Sequence, residues 1–179
     1  MSNDMNQSAK RCGSIFVVLL LLLPIIILFA GFAVDVAYVQ RVKSELRSAT
    51  DLAAKAAAFD LSQYSDMTAA RNKAIEIAAI NEVGGKPLTL TSQDIVFGNA
   101  TRQLDGSYSF SETGTPFNAV RVTGRRTNAS TDGPVRSFFG TFYGFSEYEP
   151  ETDSFAAFID VDICLVLDRS GSMKLPVIN

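Results

Sequence analysis

Asp168, Ser170 and Ser172 stand two residues apart on a short segment, Asp168-Arg169-Ser170-Gly171-Ser172-Met173, whose glycine suits a tight turn. One carboxylate and two hydroxyls at this spacing can converge their oxygens on one small, hard cation. Mg²⁺ takes oxygen ligands in near-octahedral geometry and keeps several waters, so such a trio makes a reasonable half-shell. The preceding run, Ile163-Cys164-Leu165-Val166-Leu167, is apolar and bounded by Asp162 and Asp168. It reads as a strand buried on both faces of a parallel sheet, with the polar trio at its carboxyl end, where open α/β sheets place their ligands. The plainer alternative is an ordinary C-terminal strand followed by a Ser/Gly tail.

The run resembles the first strand and metal-ion-dependent adhesion site of von Willebrand factor A (vWA) domains. Their pattern is an apolar strand followed by D-x-S-G-S-M, matched over about residues 160–176 by Asp168, Ser170, Gly171, Ser172 and Met173. The resemblance implies a site completed by a Thr and an Asp from later loops, so the metal site Asp168, Ser170, Ser172 is incomplete here. No cofactor is expected in this chain, and Mg²⁺ only in a full-length form. The chain is therefore expected to be the front part of a longer protein or the product of a truncated frame.

The remaining chemical inventory is sparse. The sequence has no His, which removes the commonest general base and transition-metal ligand. Cys12 and Cys164 form no CxxC pair, and Ser170 and Lys174 miss the S-x-x-K spacing by one. A net charge of −3 and a pI near 5.0 give no basic footprint for nucleic acid. Neither an enzyme nor a nucleic-acid partner is expected.

Ser14–Val34 is an uninterrupted apolar or small-residue stretch with Pro24 near its middle, preceded by Lys10 and Arg11 and followed by Asp35. As a helix of about 21 residues it spans about 31 Å, the thickness of a bilayer's hydrocarbon core. A secretory signal peptide is the competing reading, with Gly31-Phe32-Ala33 as a cleavage site, but the run exceeds the usual apolar region of about 7–15 residues. Arg41, Lys43 and Arg47 balance Lys10 and Arg11 across the span. Long following domains translocate largely regardless of charge, which favours a cytoplasmic amino terminus. The expected organisation is a cytoplasmic tail (1–12), a transmembrane helix (13–34), an extracytoplasmic region (35–158) and the start of an incomplete vWA domain (159–179).

Beyond the span, Val39, Val42, Leu46, Ala49, Ala53 and Ala56 recur at helical spacing, and no Gly or Pro falls between Val34 and Leu61. One helix is predicted from about Ser14 to Leu61. Taken in order, Arg11-x-Gly13, the Leu-rich run with Pro24, Gly31, Asp35 and then Ala49-Thr50-Asp51-Leu52-Ala53-Ala54-Lys55-Ala56-Ala57-Ala58 resemble the amino-terminal region of TadE/TadG-like Flp pilus-assembly proteins. Some TadG-like proteins also carry a vWA domain after this region. Prepilin processing wants a Glu shortly after the cut, and Gly13 is followed by Ser14-Ile15-Phe16-Val17-Val18. That departure argues against prepilin-peptidase cleavage.

A second helix is expected from a Ser65 or Asp66 cap to about Asn81, ended by Gly84-Gly85. Beyond Pro87 the texture is β: Leu88-Thr89-Leu90, 94–98, a hairpin at Asp105-Gly106, 119–123 and 154–158. Phe138-Phe139-Gly140-Thr141-Phe142-Tyr143-Gly144-Phe145 is densely aromatic. It reads as a short core helix or turn covering the sheet, or as an anchor for a partner or the bilayer surface.

The expected fold is α+β: a long N-terminal transmembrane-plus-amphipathic helix packed on a small β-rich domain, then the first strand of a truncated α/β vWA domain. The implied function is a single-pass bacterial inner-membrane protein of the TadG-like class. It would serve pilus assembly or envelope adhesion through contacts with pilus-assembly machinery or envelope proteins. The alternative is a vWA-type surface adhesion or sensory protein unrelated to pili.

Overall fold

A computed structural model describes residues 12–159 and 164–167. Its dominant element is α1 (Cys12–Tyr64), unbroken through Pro24. The helix has two differently covered parts. Residues 15–34 stand almost wholly clear of the rest of the protein, with their apolar side chains exposed except at Gly31. This part is long and apolar enough to cross a membrane. From Val42 onward one face is buried instead: Val42, Leu46, Ala49, Thr50, Ala53, Ala54, Ala57, Ala58 and Leu61. Ala56, placed on that face by spacing, is half-buried, and Ala57 takes its place in the core.

Helix α2 (Met67–Ala79) starts at Asp66, whose carboxylate accepts the Thr68 and Ala69 N–H groups. It lays Ala70, Ala74 and Ala78 against the alanine face of α1. Small side chains on both helices let them approach closely. The helix ends at Ala79, before Gly84-Gly85. Those two glycines, both at positive φ, make the turn between β1 (Glu82–Val83) and β2 (Lys86–Pro87). Any other residue there would be strained.

The central sheet is antiparallel, in the order β4-β3-β5-β8, from β3 (Ile95–Arg102), β4 (Tyr108–Ser111), β5 (Ala119–Arg125) and β8 (Glu151–Ala157). One face carries Ile95, Phe97, Val120 and Val122 into the core beneath α1 and α2. The other carries a polar-aromatic lattice in which Arg121 lies over Phe110 and Thr123 bonds Asp153 at 2.6 Å. On β5, Gly124 fits the helix against the strand: a Cβ there would lie 2.2 Å from Thr50 Oγ1. The small pair β6 (Val135–Arg136) and β7 (Glu147–Tyr148) closes a separate loop.

Two expected strands differ. Leu88 and Leu90 are buried, but 88–90 makes no ladder; the alternation reflects burial without pairing. Of the expected vWA strand, Cys164–Leu167 is irregular and exposed, so these residues form no buried strand. Among the described residues β8 pairs only with β5, leaving 164–167 without a partner strand. Apolar composition alone does not make a strand without a neighbouring ladder.

Candidate functional site

The expected metal trio, Asp168, Ser170 and Ser172, lies outside the described residues. Within them, no cluster of three or more His, Cys, Asp or Glu side chains is placed to hold a metal ion. The feature that stands out lies instead at the carboxyl end of the apolar run.

Asp35 is buried, with 1% of its surface exposed, one residue beyond that run. Such a carboxylate must be matched by donors, and they come from a loop a hundred residues away. The Ser137 hydroxyl donates to it at 2.5 Å, and the backbone N–H groups of Phe138 and Phe139 donate at 2.8 and 2.9 Å. Burial opposes the charge, but the Ser137 hydroxyl and the Phe138 and Phe139 amides outweigh it and hold the carboxyl below its ordinary value. Asp35 is therefore an anion that caps a loop.

The loop is shaped to reach it. The β6–β7 pair pinches its base, and Ser137 N–H donates to Ser146 O at 2.9 Å. Gly140–Tyr143 forms a single 3₁₀ turn. Ser137 Oγ also accepts the Gly140 N–H at 2.6 Å, so one hydroxyl links turn and helix. The side chains then grip α1. Phe139 packs on Gly31, where an added Cβ would come within 3.0 Å of its ring. Phe138 meets Tyr38 edge-on at 4.8 Å, and Tyr143 meets Phe32 edge-on at 5.7 Å. The Tyr143 hydroxyl donates to Leu28 O, inside the apolar run. A groove of about 350 Å³ opens between Tyr143 and Ile25, Leu28, Phe29 and Phe32. The aromatic segment expected to cover the sheet instead clasps the helix.

A second tether lies further along α1. Glu45 accepts the Gly84 N–H at 2.9 Å and pairs with Arg41 at 2.7 Å. The buried Arg126 bonds only carbonyls, those of Gly133, Val83 and Asp132, and ties the β1–β2 turn to the loop before β6. These contacts hold the sheet domain at a fixed height and orientation on the helix.

Asp35 carries a usable sequence signal. It stands four residues after Gly31, so the two share a helix face, and a small residue beside an acid at the end of an apolar run marks a place where something can approach. Which loop approaches is not written locally.

Comparison with known families adds two matches. The family described as Flp pilus-assembly TadE/G-like matches residues 13–63. The family described as Tad-like Flp pilus-assembly matches residues 53–156, more than half of the chain. No curated protein and no solved structure matches.

Proposed function

The chain belongs to the Tad-like Flp pilus-assembly family, and from that premise we propose that it is a single-pass component of a bacterial inner membrane. In this reading its amino terminus is cytoplasmic, its sheet domain extracytoplasmic, and it acts through protein contacts rather than turnover. The observation that carries the proposal is the joint reach of the two family matches. They run from the apolar helix through the last strand of the sheet and cover anchor and domain as one unit. The helix-to-domain tethers at Asp35 and Glu45 support it, because a domain fixed to its anchor can present one face to an assembly. Deleting the gene should abolish Flp pili on the cell surface, and the intact gene should restore them. Pili unchanged by the deletion would refute the assembly role.

The vWA resemblance extends the proposal to adhesion. In a form carrying the rest of that domain, Asp168, Ser170 and Ser172 are the proposed first ligands of a Mg²⁺ ion that binds a partner carboxylate. The chain of 179 residues should then show no heat of Mg²⁺ binding, while the longer form should bind the ion and lose it on Asp168→Ala. A longer form that ignores Mg²⁺ would remove the adhesion part.

A further inference from the structure

The clasp leaves its aromatic side chains facing outward. Phe142 is 74% exposed and Phe138 is 63% exposed, while Phe139 and Tyr143 are each partly open. From Ser137 to Ser146 the loop carries no charged residue. Its height is fixed by what it grips: Leu28, Gly31 and Asp35 span eight residues of α1, about 10 Å along the axis. Resting on the proposed membrane anchoring of residues 14–34, we infer that this aromatic loop is a second membrane contact, inserted into the interfacial layer of the lipid bilayer beside the helix.

Two features favour lipid over water or another protein as the occupant. The ring of Tyr143 adjoins the uncovered apolar surface of the helix and shares a groove with Ile25, Leu28, Phe29 and Phe32, all within the proposed anchor. Much of the loop backbone also meets the demand a bilayer imposes, since unpaired N–H groups are costly there. The Phe138 and Phe139 N–H groups go to Asp35 and that of Gly140 to Ser137 Oγ. Those of Phe142 and Phe145 go to carbonyls within the loop, at 2.9 and 3.0 Å. A loop with these amides paired and its aromatic rings outward suits a depth of about 5–10 Å into the boundary between headgroups and acyl chains. Tyr143 has the apolar body and polar tip that place Tyr and Trp at that level, and the Phe rings supply the apolar face of an interfacial segment. Asp35 is then the polar foot on which the loop stands.

The chain has no Trp, so a single substitution gives a clean reporter. The full chain carrying Phe142→Trp is placed in vesicles of phosphatidylethanolamine and phosphatidylglycerol, with part of the acyl chains brominated near the headgroup end. The expected result is blue-shifted emission, strongly quenched by the brominated lipid and little affected by aqueous iodide. Phe138→Trp should behave alike and guards against one misfolded variant. Leu22→Trp, near the middle of the apolar run, reports the anchor in matching vesicles brominated near the acyl-chain ends, and Leu104→Trp, on the exposed β3–β4 hairpin, reports water. Lipid quenching at position 22 with iodide quenching at 142 and 138 would overturn the inference and leave the anchor standing. Absence of lipid quenching at position 22 would sink the anchor and the inference with it. Shielding of 142 and 138 from both quenchers would mean that protein covers the loop, which also overturns it.

Discussion

Helix α1 is gripped twice, by two different kinds of surface. Under the sheet the contact is made of absences: Ala53, Ala57 and Gly124 bring backbone near backbone, and burial does the work. At the clasp the contact is made of anchors: one carboxylate with three donors, and aromatic rings around Gly31. The first is dry, continuous with α2 and the core. The second is a discrete loop whose rings stay open to the surroundings. The first therefore fails by overpacking and takes the fold with it. The second fails by losing a partner and releases only the loop. A protein that must keep its domain intact while holding it at a set height can use the two contacts separately.

The largest effect is expected where space is tightest. Ala53→Leu or Ala57→Leu pushes a large side chain into a fully buried position, at a cost of about 1–3 kcal/mol. For a chain of this size each kcal/mol lowers the melting temperature by about 2–4 °C. Gly124→Ala should cost a similar amount, because its Cβ meets Thr50 Oγ1, and adding Thr50→Ala should restore part of it. Lys55→Leu, on the exposed face, should leave the midpoint nearly unchanged. Thermal unfolding of the detergent-solubilised chain decides the matter. Equal tolerance at 53, 55 and 57 would mean that the helix does not pack on the domain in solution.

Much of the dry contact is legible in the amino-acid order itself. The three-four spacing from Val42 to Ala53 and the lack of Gly or Pro up to Leu61 specify a continuous helix with one buried face. Period-two alternation at Ala119-Val120-Arg121-Val122-Thr123 specifies β5, and Asp105-Gly106 marks the β3–β4 turn. All are local signals. The clasp is not local. Asp35 and Ser137 lie 102 residues apart, and no periodicity joins a lone acid to a Ser-Phe-Phe loop. Composition marks 138–145 as a site of burial or contact without choosing its partner. Leu88-Thr89-Leu90 shows the converse: alternation records which side chains are buried, and the ladder must come from a neighbour in space. The Asp168 segment is the limiting case, where the motif is clear and its expected strand is not formed at 164–167.

A smaller and more local effect is expected from Asp35→Ala. The variant removes the acceptor for two amides, and an unmatched buried amide costs about 1–3 kcal/mol. The loop can escape that cost by opening toward its surroundings, so the loss appears as local opening and not as global unfolding. Hydrogen exchange at Phe138 and Phe139 should accelerate about tenfold or more, since about 1.4 kcal/mol is a factor of ten. The melting temperature should move less than for Ala53→Leu. Unchanged exchange at both amides would mean that the loop is held by its rings alone.

The gentlest way to break the clasp is acid, and the sign of the effect is fixed by the bonds. Desolvation pushes the Asp35 carboxyl up, but the Ser137 hydroxyl and the two loop amides push it further down, so the folded value lies below the ordinary one of 3.8. A depressed carboxyl contributes stability that is complete above the unfolded value and drains away as pH falls through the folded value. The clasp should therefore ignore the range from neutral down to about pH 4 and loosen only below it. The Phe138→Trp chain in vesicles can follow this, with emission constant through mild acid and shifting to the red only in stronger acid. Introducing Asp35→Asn into the same chain should abolish that step, because the amide does not titrate. A transition at about pH 5–6 would reverse the ranking of causes, making burial dominant over the three donors. Protonation would then favour the closed clasp, with emission shifting to the blue as pH falls, and the clasp would be strained at neutral pH where the dry alanine contact is not.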